Sequence, residues 1–88
     1  MWRKYTFRVM NELTWRVGRD MKEYWEILRE LREDRDIKQS TVARVLGTTQ
    51  QVYSRYENGI NEMPIRHLRT LCKYYSVSAD YVLGLKQK

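Results

Sequence analysis

The stretch that decides the fold runs from Gln39 to Gly59 and reads QSTVARVLGTTQQVYSRYENG. Val42, Ala43 and Leu46 recur at i, i+1 and i+4, which gives the first segment one apolar helical face. Gly47 follows where a helix end favours a residue able to adopt positive φ. Thr49 is set to cap a second helix with Val52, Tyr53 and Tyr56 on its inner face, and Asn58-Gly59 ends it. Two helices joined by so short a glycine-containing turn have to cross steeply, the arrangement called helix-turn-helix.

In that arrangement the first turn of the second helix projects from the body, and here it carries Gln50 and Gln51. A carboxamide donates and accepts at once, which is what reading an adenine edge in the major groove of duplex DNA requires. Arg55 lies about one helical turn beyond Gln51 and is long enough to reach either a base or a phosphate. Arg44, on the first of the two helices, points the other way and reads as a solvated charge.

Working outward, the pattern upstream is helical from about Asp20. Trp25, Leu28, Leu31, Arg32 and Arg35 form one stripe, with Glu23, Glu26, Glu30 and Glu33 toward water. Asp34 and Asp36 mark the exit, and Ile37 is expected to anchor beneath the next helix. Downstream, Pro64 is expected in the first turn of a helix whose apolar stripe is Ile65, Leu68, Leu71, Cys72 and Tyr75. Ser78 caps a last short helix over residues 79–83, closed by Gly84, and residues 86–88 should fray. Together these predict an all-α body of five helices.

Residues 1–22 read differently. Tyr5, Phe7, Val9, Leu13, Trp15 and Val17 alternate with polar residues, which favours strand and a hairpin near Met10–Glu12. A helical stripe through Trp2, Tyr5, Val9, Leu13 and Val17 fits nearly as well. This segment holds six lysines and arginines against two acids, whereas residues 23–88 hold eleven against nine. The net charge of +6 is therefore concentrated at the amino-terminal end. An arm toward DNA, a packing or dimerisation hairpin, and a loose extension are all compatible with it.

Eighty-eight residues suit one domain and leave little room for a deep catalytic cleft. One cysteine, Cys72, permits no internal disulfide, and its place on the apolar stripe makes it a small core residue. His67 has no second histidine or cysteine at ligand spacing. No run approaches the ~20 apolar residues needed to span a bilayer, and no signal peptide is visible. A cytoplasmic, non-enzymatic protein needing no cofactor and no metal is the expectation.

The motifs LRELREDRDIKQ, GTTQQ…ENG and VSADYVLG, at their mutual spacings, resemble the Cro/CI-type (XRE-like) helix-turn-helix domain of phage and bacterial repressors. GTTQQ…ENG is especially close to lambdoid phage repressors. The resemblance covers residues 23–85, leaving 1–22 as a basic extension and 86–88 as a tail. It implies a compact repressor-like bundle in which Gln50, Gln51 and Arg55 contact bases. It also implies phosphate contacts from Gln39, Thr49, Tyr53, Asn58 and the loop after Gly59, and a largely buried Arg32–Glu57 ion pair. Lys38 stands where the family often has Ser or Asn as the cap, and Tyr53 and Tyr56 replace smaller aliphatics. The implied protein is a transcriptional regulator, by analogy a repressor, that binds a double-stranded operator as a homodimer. The alternative is an antitoxin-like or adaptor module that uses the same fold to hold a protein partner.

Overall fold

A helix begins where an extended residue satisfies its first amides, and Glu23 does this for the first helix. Its φ of −74° and ψ of 155° are extended, and its side chain and that of Glu26 each bond the other's backbone. The helix therefore starts a few residues later than the sequence pattern predicts. The computed structural model describes residues 22–85. Its elements are α1 (Tyr24–Asp34), α2 (Gln39–Leu46), α3 (Gln50–Glu57), α4 (Ile65–Tyr75) and α5 (Ala79–Val82). Among the described residues every regular element is helical, as the periodicity predicts. The expectations for residues 1–21 and 86–88 fall outside the described residues.

The core gathers Leu28, Leu31, Val42, Ala43, Leu46, Tyr53, Tyr56, Leu71, Cys72, Tyr75 and Val82. Ile37 and Val52 pack against it partly buried, in the places their spacing assigns. Ile27 and Met63 are also buried, although the stripes omit them. Ile65 departs from its stripe and is 73 % exposed. It opens α4, whose first turn is exposed at Ile65 and Arg66, while Met63, just before the helix, is buried. Pro64 sits one residue earlier than predicted, as the extended N-cap with ψ 149°.

The α2–α3 connection is short because each end is chemically closed. Gly47 takes φ 74°, and the amides of Gly47 and Thr48 donate back to Arg44 and Ala43 carbonyls at 3.0 and 2.9 Å. Thr49 Oγ1 then accepts from the Val52 amide at 3.2 Å, starting α3 at once. These two helices form the most extensive packing between elements. Arg35 ties the end of α1 to the end of α4: its guanidinium donates to the Tyr75 carbonyl at 3.1 Å and lies over the Tyr75 ring.

Gly59 follows α3 with φ 72°, a conformation that side chains rarely adopt, and the Trp25 indole lies against it. A Cβ there would sit 2.6 Å from two ring carbons of Trp25. Gly59→Ala should therefore cost about 2 to 3 kcal/mol of stability in urea unfolding. A loss below about 0.5 kcal/mol, the range of an ordinary surface change, would show that the ring is not seated there.

Candidate nucleic-acid interface

The surface at issue is built from a buried carboxylate outward. Glu57, in the last turn of α3, is 2 % exposed. Burial costs a carboxylate most of its hydration, so each lone pair needs a donor. Arg32 on α1 donates from Nε to Oε2 at 2.6 Å and from Nη2 to Oε1 at 3.2 Å. Tyr53 donates its hydroxyl to Oε2 at 2.6 Å, and Gln39 its Nε2 to Oε1 at 2.9 Å. The Arg32 Nη1 goes to the Ile37 carbonyl at 2.8 Å, which fixes the turn between α1 and α2. The ion pair implied by the resemblance is present, within a larger network.

That network sets the direction of an exposed amide. Because Glu57 can only accept, Gln39 turns its nitrogen inward and its oxygen outward. Gln50 Nε2 donates to that oxygen, at 3.4 Å a long bond. Gln50, Gln51 and Arg55 are all exposed, on the first turn and outer face of α3. Gln50 is thus directed by a neighbour, while Gln51 projects beside it.

The expected backbone contacts divide. Thr49 is exposed at the start of α3, with its oxygen engaged in the cap. Gln39 is half-buried, with one donor committed to Glu57. Asn58 is exposed, but its amide nitrogen is folded back onto the Ser54 carbonyl at 2.9 Å and the Ser54 hydroxyl at 3.3 Å. Tyr53 is the clear departure: it is fully buried, and its hydroxyl serves Glu57. It offers nothing to a phosphate. An aromatic residue on an inner stripe hides its polar tip in a sequence reading, and here the tip turns inward to a charge.

Lys38, which sequence reasoning treated only as an unusual cap, makes no side-chain hydrogen bond to α2. It is exposed beside Gln39 at the start of that helix. Its position just before the helix was the available signal, since a cation at a helix start is unfavourable unless an anion is to be met.

Titration follows the same geometry. Burial alone pushes the Glu57 carboxyl up, but the hydrogen bonds from Arg32, Tyr53 and Gln39 outweigh it and hold the group below its ordinary 4.5. The hydrogen bond to Glu57 raises Arg32 further, and burial followed by that carboxylate raises Tyr53. Burial and neighbouring Arg66 lower His67, whose ring meets Tyr56 edge-on at 5.9 Å.

Against this geometry, the family model described as Helix-turn-helix matches residues 28–82, and the chain belongs to that family. Within it the domain is of the XRE-like kind. A relative from Bacillus subtilis (strain 168), the "Uncharacterized HTH-type transcriptional regulator YobD", is 34 % identical over 62 residues. The alignment takes in 70 % of this chain and 55 % of that protein, so the chain spans about half its relative's length. No solved structure gives a significant match.

A depressed carboxyl pKa contributes stability above its unfolded value, and that contribution is lost as pH falls through the folded value. Wild-type stability should therefore decline below about pH 4.5, the ordinary value for Glu57. Glu57→Gln, which removes the buried charge facing Arg32 and leaves that guanidinium, among the described carboxylates, only the exposed Glu33 at 3.7 Å, should cost about 3 to 5 kcal/mol at pH 7 and flatten that acid limb. Urea titrations of both proteins from pH 3 to 7 test this, and an unchanged acid limb in the variant would assign it to other carboxylates.

Proposed function

We propose that this domain binds duplex DNA sequence-specifically as a transcriptional regulator, with α3 lying in the major groove. The observation that carries the reading is the exposed Gln50–Gln51 pair on the first turn of α3, with Gln50 tied through Gln39 to the buried Glu57 carboxylate. A side chain already oriented gives up less rotational freedom on meeting a base, so more of each contact becomes affinity. Membership of the helix-turn-helix family and a relative named as a transcriptional regulator support the same reading.

In this mechanism Gln50 and Gln51 read base edges, and Arg55 reaches a base or the flanking phosphate. Gln39, with its second N–H, and the Lys38 ammonium meet phosphates at the start of α2, where uncapped amides favour an anion. The Thr49 main chain approaches a phosphate at the start of α3, and Asn58 does so if its amide swings away from Ser54. One recognition helix covers few base pairs. Useful selectivity then calls for a homodimer on a two-fold site with half-sites ~10 base pairs apart. Occupancy of such an operator blocks polymerase sterically, which makes the regulator a repressor in the cell's cytoplasm.

Selection of bound duplexes from a random pool should return a two-fold symmetric site. On that site Gln51→Ala should lose about 1 to 3 kcal/mol of discrimination at one base position per half-site, with affinity for random duplex unchanged. Equal losses on selected and random duplex would remove Gln51 from base reading. Failure to enrich any duplex, alongside stoichiometric capture of a protein partner, would favour the adaptor alternative.

A further inference from the structure

We infer that the first turn of α1 positions the loop between α3 and α4 for the DNA backbone, with Tyr24 and Trp25 as the positioning residues. The inference rests on the DNA-binding reading and adds to it two residues outside the helix-turn-helix segment.

The loop leaves α3 at Asn58 and is exposed through Glu62, with Gly59, Ile60 and Asn61 between them. Its near end is held by α3 itself: the Ile60 and Asn61 amides both donate to the Arg55 carbonyl, at 2.9 and 3.3 Å. Its far end is held by a hydrogen bond to α1. There the Met63 amide donates to the Tyr24 hydroxyl at 2.9 Å, while the Met63 side chain goes into the core. At the near end the Trp25 indole packs so closely on Gly59 that no side chain fits between them. Two consecutive side chains of α1 thus grip the loop at Gly59 and at Met63, and only Ile60, Asn61 and Glu62 project between the grips.

The grip is itself rigid. The Tyr24 and Trp25 rings meet edge to face, 5.2 Å apart at 81°. Their turn is fixed by the reciprocal Glu23–Glu26 cap, in which the Glu23 amide donates to Glu26 at 2.9 Å. Tyr24 and Trp25 are both only partly buried, so they sit at the rim of the core rather than in it. A hydrogen bond from a main-chain amide to a phenol at the rim adds little apolar burial. Its effect is to fix a backbone, and a loop that meets phosphates contributes through the placement of its backbone and short polar side chains.

The consequence separates this role from base reading. Loosening the loop weakens binding to every duplex by the same factor and leaves base preference intact. Tyr24→Phe in the full chain removes only the acceptor for the Met63 amide. At a temperature well below the unfolding transition, Kd should rise about three- to tenfold on selected and random duplex alike, the scale of one lost hydrogen bond. Exchange of the Met63 amide should quicken in the free protein. Unchanged affinity despite faster Met63 exchange would overturn the inference, since the bond would then serve stability alone. So would a loss confined to the selected site, because the effect would then pass through α3. If the wild-type chain binds no duplex, the functional reading fails first, and the inference falls with it before any variant is compared.

Discussion

One buried negative charge holds this domain in register. Glu57 belongs to α3, and its partners come from α1 through Arg32, from α2 through Gln39 and from α3 itself through Tyr53. Replacing such a pair by well-packed apolar groups is often neutral or even stabilising, so its presence is weak evidence of stability. What it supplies is direction. A carboxylate that only accepts makes each partner turn a donor toward it, and three helices meet at a single point. The packing of α2 against α3, which Gly47 and Thr49 permit locally, is tied to α1 through this charge.

The parts of the fold that were legible in the sequence are those whose geometry is written in neighbouring residues. Gly47 before Thr49 encodes both the end of one helix and the start of the next, and the structure has φ 74° and a side-chain cap at those two positions. The stripe Leu68, Leu71, Cys72 and Tyr75 likewise names the inner face of α4. Periodicity identifies a face but not where the core stops, which is why Ile65 was expected inside and Met63 was missed. The Arg32–Glu57 pair was legible only through the family resemblance, since 25 residues separate the partners.

Polar groups were the hardest to read, because their direction depends on partners from elsewhere in the chain. Tyr53 was expected both on the inner face and against a phosphate, and only a buried charge beneath it decides between the two. Asn58 is outside, yet its donors turn back to Ser54. The Tyr24–Met63 bond joins residues 39 apart, and no local pattern announces it. In each case the residue type was visible in the sequence and the orientation was not.

The same wiring makes the two adjacent glutamines unequal. Gln50 is coupled through Gln39 to the scaffold, so exchanging it disturbs a relay that reaches the centre of the protein. Gln51 projects beside it without that obligation. On the proposed DNA-reading role of α3, a lineage of such domains acquiring new target sites would find position 51 the permissive letter. Position 50 would change only in step with position 39, as a linked pair.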